Sequence, residues 1–148
     1  MMSFFFVCLL YNSISLMAQT TSSGTITVES LGSGEINSLH LDNLVFELRR
    51  SVAERLFVIA RLGDGETFRR LNLARLDGAR LYLVESGRIP KERIVFAEGE
   101  RVKGEGRVEF YLGSRLYLVS LAGRGKNINF TCCGDYIPLS RGKRKKRR

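Results

Sequence analysis

Apolar positions recur along the chain with spacings that predict two helices. One apolar face falls within Leu41–Arg50, where the spacing of three, one and three residues is helical. A second helix is predicted over Glu66–Ser86, with Asp64 placed to cap its start. Gly87 is expected to form its left-handed C-terminal cap, and Pro90 follows where a helix cannot continue. The arginines of this second helix are expected mostly on its polar side: Arg69, Arg70, Arg75 and Arg80.

Other segments have the β-branched, alternating or continuous apolar patterns of strands. The run Arg55–Leu62 is continuous, which predicts a strand buried on both faces. The last two predicted strands are joined by a tight Gly113-Ser114 turn and should be antiparallel. The predicted strands are Thr25–Glu29, Arg55–Leu62, Arg93–Ala97, Arg107–Leu112 and Arg115–Leu121. Their order with the helices predicts an α+β two-layer sandwich, in which two main helices pack on a mixed four- to five-stranded sheet.

The length of 148 residues and a hydrophobic content of 44% fit one domain with its own core, predicted over residues 25–122. Residues 1–18 lack charge and contain the short apolar run FFFVCLL, which is too short to span a bilayer. We interpret them as a signal peptide followed by a flexible start at 19–24, although the usual basic residue is missing. The alternatives are a first core strand or a misassigned start. The signal interpretation predicts export to the periplasm or cell envelope.

The net charge of +9 is concentrated at one end of the chain. Without residues 141–148, 17 basic residues face 15 acidic ones, which leaves +2. Residues 123–148 lack periodicity and are predicted to be irregular. Their basic tail can be a solvated end, a site for anionic envelope surfaces or nucleic acid, or a nuclear address. Its basic residues are Arg141, Lys143, Arg144, Lys145, Lys146, Arg147 and Arg148.

No pattern in the sequence predicts catalysis, a metal site or a cofactor. His40 is the only histidine and lacks a nearby nucleophile or acid pattern, and the glycines at 63 and 65 lack the rest of a phosphate loop. Cys132 and Cys133 are adjacent, so they neither form a disulfide framework nor supply a zinc site. They are two small residues near the chain end, or they bond another chain in an oxidising compartment. We therefore predict a protein that is not an enzyme.

An ordered set of short motifs resembles the OmpA-like domain of bacterial envelope proteins. The family pattern is a helix with Leu-Ser-x-x-Arg-Ala and Tyr-Leu, then Gly-Ile-Pro-x-x-Arg-Ile, Gly-Glu and Arg-Arg-Val-Glu-Ile. The match in spacing covers roughly Val58 to Leu112. The matching residues are Leu71-Asn72, Arg75-Leu76, Ala79, Tyr82-Leu83, Ile89-Pro90, Arg93-Ile94, Gly99-Glu100 and Arg107-Val108-Glu109-Phe110.

The resemblance implies non-covalent binding of the peptidoglycan stem peptide. In the family, an aspartate binds the ammonium of diaminopimelate and the helix arginine binds its carboxylate. Arg75 stands at the arginine position, or is a solvated helix residue. The aspartate position falls on Ala60 and an upstream asparagine on Phe68, so Asp64 or Glu66 would have to supply the negative anchor.

The sequence therefore predicts an exported, non-catalytic, OmpA-like envelope domain with weak or lost peptidoglycan binding and a scaffold role. The alternative is a basic protein that binds nucleic acid or another polyanion through its C-terminal tail.

Overall fold

The computed structural model describes residues 33–131, and it has the predicted α+β two-layer architecture. Helix α1 spans Gly34–Arg50, and helix α2 spans Arg70–Arg80 and continues as a π-helical segment, Leu81–Ser86. The strands are β1 (Leu56–Arg61), β2 (Ile94–Glu98), β3 (Gly106–Leu112) and β4 (Arg115–Ala122), and a single 3-10 turn, Lys91–Arg93, precedes β2. The predicted strand Thr25–Glu29 lies outside the described residues.

The four strands form one mixed sheet in the order β2-β1-β3-β4. Strand β1 pairs in parallel with β2 and antiparallel with β3, and β3 pairs antiparallel with β4. Because α2 connects the parallel pair, it crosses one face of the sheet, where it contacts β1 and β2. Helix α1 contacts β4 on the other half of the sheet. The two helices thus form the second layer.

The core lies between this helical layer and the sheet. Alternate residues of β1 and β3 are buried in it. The intervening residues of β1, on the opposite face, are partly exposed, so the prediction that β1 is buried on both faces was wrong. The segment after β4 also contributes to the core. Phe130 is 2% exposed and packs edge-on against Phe110, with ring centroids 5.9 Å apart. The largest buried apolar side chains are Leu41, Leu44, Leu48, Leu56, Leu83, Phe110 and Phe130.

Helix α1 begins seven residues before the predicted Leu41. The Ser33 carbonyl accepts hydrogen bonds from the amides of Ile36 and Asn37, and the Asn37 side chain donates to the Asn129 carbonyl at 2.9 Å. These contacts with the segment after β4 stabilise a first helical turn whose glycine and polar residues have low helix propensity.

The start of α2 also differs from the prediction. The chain enters the helix at Arg70, because Glu66 turns inward and Asp64 does not cap the helix. The Asp64 carboxylate instead accepts a hydrogen bond from the Gly104 amide at 2.8 Å. The residues before Arg70 are therefore a loop, whose geometry is set by contacts across the fold.

Gly87 ends the second helix for a different reason from the one predicted. Its φ is −74°, and the left-handed residue is Arg88, with φ 49°. A Cβ atom at Gly87 would lie 2.8 Å from the Leu83 carbonyl oxygen and 2.9 Å from Val45 Cγ2. The glycine is therefore required by the close approach of the two helices, and the prediction of a left-handed cap at Gly87 was wrong.

Candidate functional site

A buried ion pair lies where the β1–α2 loop meets α2. The Arg75 guanidinium donates to Glu66 through two hydrogen bonds, Nη1 to Oε2 at 2.9 Å and Nη2 to Oε1 at 2.6 Å. The side chains of Arg75 and Glu66 are 0% and 1% exposed. This two-point geometry matches the planar fork of arginine to the carboxylate and is the strongest form of such a pair. The prediction that Arg75 lies on the polar side of α2 was wrong.

Backbone groups at the end of β1, in the β1–α2 loop and in the segment after β4 also bind the ion pair. Glu66 accepts hydrogen bonds from the amides of Gly63 and Gly125, each at 2.9 Å. Arg75 donates to the carbonyls of Arg61 at 3.3 Å and Lys126 at 2.8 Å. The pair therefore joins the end of β1, the start of α2 and the segment after β4.

A third charged side chain closes the same loop from outside. Arg101, in the segment between β2 and β3, donates through Nη1 to the carbonyls of Gly63 (2.6 Å) and Glu66. The Gly63 amide donates to the Glu66 carboxylate and the Gly63 carbonyl accepts from Arg101, so both backbone polar groups of this residue are satisfied. The loop is thus fixed from its inner and outer sides.

The environment keeps Glu66 ionised. Burial by itself would raise the pKa of its carboxyl group, but the hydrogen bonds from Arg75 and from the Gly63 and Gly125 amides outweigh burial and lower the pKa to about 2. An ionised carboxylate only accepts hydrogen bonds, and the donors to Glu66 are already in place. Glu66 therefore lacks the raised pKa that a general acid would need near neutral pH.

The space around the pair is filled by backbone. A Cβ atom on Gly106, the first residue of β3, would lie 2.2 Å from Glu66 Oε2 and 2.3 Å from Arg75 Nη1. Only glycine fits here without displacing the pair. The start of β3 therefore packs directly against the ion pair, on the side that faces the sheet.

The structure brings together Arg75 and Glu66 but not the other residues considered for the ligand site. Asp64 is exposed and bound to the Gly104 amide. Ala60 is fully buried in β1, where it is paired with Glu98 and Val108. Phe68 is 58% exposed, and the Arg70 guanidinium stacks on its ring at 4.6 Å. Arg75 and Glu66 therefore face each other as internal partners.

The basic tail 141–148 and Cys132–Cys133 lie outside the described residues.

A second charged cluster lies on the sheet face opposite the helices. The Glu109 carboxylate of β3 accepts hydrogen bonds from Arg61 Nε and Arg107 Nε, both at 2.8 Å, and from the Tyr111 hydroxyl at 2.9 Å. Its side chain is 6% exposed. The sequence analysis did not select this cluster, although the alternation of Arg107, Glu109 and Tyr111 along one strand was a signal that they share a face.

Glu109 and Tyr111 of this cluster have shifted pKa values. Burial raises the pKa of Glu109, but the hydrogen bonds from Arg61 and Tyr111 outweigh burial and lower it. The pKa of Tyr111 is raised, first by burial and then by its hydrogen bond to the Glu109 carboxylate. Glu109 is thus an ionised hub on the sheet, and Tyr111 is a protonated donor to it.

Residues 33–131 contain no candidate metal centre and no candidate membrane helix. No group of three or more His, Cys, Asp or Glu side chains in this part of the chain could hold a metal ion. None of the helices described is both long and apolar enough to cross a bilayer. His40 is half-buried on α1.

Comparison with protein-family models, with curated proteins and with solved structures found no match to this chain.

Proposed function

We propose that this chain is an exported, non-catalytic domain of the cell envelope with a scaffold role, in which an OmpA-like binding site has become an internal structural contact. The observation that carries the proposal is the pairing of Arg75 with Glu66. Arg75 stands where the resemblance expects the anchor for a ligand carboxylate, and the carboxylate it holds belongs to the protein itself. The domain would thus bind peptidoglycan weakly or not at all.

The chemistry of Glu66 supports this interpretation. A diaminopimelate carboxylate and the Glu66 carboxylate present the same two acceptor oxygens to a guanidinium, so they compete for the same donors. Glu66 is attached to the protein and also held by two backbone amides, which gives it the advantage of a preorganised group. Ala60, at the position of the ammonium partner, offers no charge and is buried.

The energetic cost of replacing Glu66 can be bounded. Breaking a buried ion pair by removing one partner costs about 3–5 kcal/mol. A ligand that displaced Glu66 would lose a comparable amount, which corresponds to roughly two to four orders of magnitude in affinity. Firm binding through this pocket is therefore not expected.

Sedimentation with purified cell-wall sacculi tests the proposal. Wild type, Arg75→Met and the control Arg80→Met are compared, because Arg80 is an exposed arginine of the same helix, whose contacts are with Asp77 and the Phe96 ring. We expect little sedimentation of wild type and no dependence on either arginine. Firm binding of wild type that is lost in Arg75→Met and kept in Arg80→Met would contradict the proposal, provided that circular dichroism shows all three proteins folded.

Export is tested separately by fractionating cells and sequencing the N-terminus of the recovered protein. An envelope fraction whose chain begins near Gln19 supports the proposal. An intact cytosolic chain supports the second candidate, a protein that binds nucleic acid or another polyanion. That candidate is favoured by one observation, the seven basic residues within 141–148.

A further inference from the structure

The outward side of α1 carries an apolar stripe that covers nothing within the described residues. Ile36, Leu39 and Phe46 are 45%, 59% and 59% exposed, and Asn43 and Arg50 are exposed between and beyond them. These five residues, which we call the outer stripe, are spaced by three, four, three and four positions. This is the heptad spacing of helices that pair with other helices.

The outer stripe lies on the side of α1 opposite its core face. The core face consists of Leu41, Leu44, Val45 and Leu48, all 5% exposed or less. At about 100° per residue, the centres of the two stripes fall roughly half a turn apart. A helix that packs against its own domain on one side needs no apolar residues on the other, and a contiguous exposed apolar stripe is typical of an interaction surface.

We propose that the outer stripe of α1 pairs with the same stripe of a second copy of this chain, with the two helices antiparallel. A two-fold axis beside Asn43 would place Leu39 of each copy against Phe46 of the other. It would also place Ile36 against the aliphatic stem of Arg50, whose guanidinium carbon lies 5.6 Å from the centroid of the Phe46 ring. The contact is then isologous, with each residue used by both copies.

The charges that flank the stripe favour this partner and orientation. Glu35 and Arg49 lie on one flank at opposite ends of the helix, so an antiparallel copy brings each close to its opposite charge. Arg49 uses one N–H for the Gly87 carbonyl, at 2.8 Å, and has other donors left. On the other flank, His40 can donate a hydrogen bond to Glu47 of the second copy.

A parallel pair is disfavoured by the same residues. It would bring Asp42 of each copy towards Glu47 of the other, which makes two like-charge contacts. The antiparallel pair makes one, between the two Asp42 side chains beside the axis, each of which accepts a hydrogen bond from Tyr82 of its own copy at 2.7 Å. It would also align the two helix dipoles, whereas the antiparallel arrangement opposes them. The polar Asn43 near the centre fixes the register, because each Asn43 side chain can meet its own copy across the axis.

The size of the contact predicts a weak dimer. A helix of 17 residues is about 25 Å long. Two such helices reach only the lower end of the roughly 1,200–2,000 Å² that stable interfaces bury. The association should therefore depend on concentration and reverse on dilution. This inference does not depend on export or on peptidoglycan.

Sedimentation equilibrium of the full chain under reducing conditions tests the proposal, because reduction excludes disulfide-linked copies. We expect a monomer–dimer equilibrium for wild type. Leu39→Glu and Phe46→Lys should each weaken dimerisation at least tenfold, since a charge would then face an apolar residue. The control Leu73→Glu, at a 43% exposed leucine of α2, should leave it unchanged.

The double variant Leu39→Glu/Phe46→Lys distinguishes the orientations. Antiparallel helices bring each new Glu against a new Lys, so the dimer should recover, whereas parallel helices bring like charges together. A wild type that stays monomeric at all concentrations, as expected if residues 1–32 or another protein cover the stripe, would overturn the proposal. So would a dimer that survives Leu39→Glu, or a double variant that remains monomeric while folded.

Discussion

The Glu66 carboxylate and the Arg75 guanidinium meet inside the domain through two hydrogen bonds of 2.9 Å and 2.6 Å, although they come from a loop and a helix nine residues apart. Both side chains also form hydrogen bonds with backbone groups near the end of β1 and in the segment after β4. The pair is therefore a tertiary contact that joins three parts of the fold. It explains why an arginine is fully buried in a domain of this size.

Removing one partner of this pair should destabilise the domain strongly. Arg75→Met leaves a buried carboxylate without its cation, at an expected cost of about 3–5 kcal/mol in the free energy of unfolding. Urea unfolding followed by circular dichroism measures this cost. The matched control is Arg80→Met, which removes an exposed ion pair with Asp77 and a cation–π contact with Phe96, and should cost no more than about 2 kcal/mol. Equal effects of the two substitutions would show that the buried ion pair contributes no more to stability than the exposed one.

Replacing both partners should be less harmful than the two single changes suggest. In Glu66→Gln/Arg75→Met neither full charge remains, so no ion is left buried without a counter-charge. We expect the double variant to lose less stability than the sum of Glu66→Gln and Arg75→Met, with a coupling of roughly 0.5–3 kcal/mol. Additive effects in the double-mutant cycle would contradict a direct interaction.

Acidic pH should remove the contribution of Glu66 to the stability of the folded domain. Its pKa is about 2 in the folded domain against an ordinary value of 4.5, so the unfolded chain binds the proton more tightly. The stability that it contributes is fully present above about pH 4.5 and is lost as the pH falls towards about 2. Glu66→Gln lacks this titration, so the difference in stability between wild type and variant should shrink on acidification. Unfolding curves from about pH 6 to about pH 2.5 measure it.

Glu109 also has a lowered pKa, but it is present in both proteins and its contribution cancels in this comparison. A difference between wild type and Glu66→Gln that stays constant across the acid range would mean that Glu66 is not ionised in the folded state.

A methyl group at Gly106 should disturb the same pair through space. The new Cβ would approach Glu66 Oε2 and Arg75 Nη1 to 2.2 Å and 2.3 Å, so β3 or the pair must move. We expect Gly106→Ala to cost about 1–3 kcal/mol. In the control Gly123→Ala, the nearest atom is Lys126 Cδ at 3.5 Å, an ordinary contact, and stability should change by no more than about 0.5 kcal/mol. Thermal unfolding of both variants compares them, and equal midpoints would refute the close packing.

Deletion of residues 141–148 should leave folding unchanged, because a charged and glycine-containing end has little apolar surface to bury. It should lower the affinity for anionic vesicles and for nucleic acid, and that affinity should weaken steeply with added salt. Cosedimentation at two salt concentrations, for the full chain and the truncated chain, measures both effects. Binding that ignores the deletion and the salt would contradict an electrostatic role for the tail.

The periodicity of the sequence by itself determined the elements and their type. The apolar runs of β1 and β2 and the β3–β4 hairpin lie within a few residues of where the pattern predicts them, because burial of one face imposes period 3.6 or 2 on the chain. Helix α1 contains the predicted helical face and ends where predicted, but begins seven residues earlier. The α+β class follows from the order of these elements. The prediction of a left-handed cap at Gly87 was wrong, because a glycine can be required by close packing as well as by a positive φ.

Only the tertiary structure decided the roles of the charged residues. Arg75 has the same local sequence features as Arg70 or Arg80, yet it alone of the three is fully buried, because Glu66 and the carbonyls of Arg61 and Lys126 converge on it. No spacing along the chain signals that convergence, since two of its members, Arg61 and Lys126, are 65 residues apart. Charge pairing depends on distance in space, and that distance is set when the sheet and its loops close.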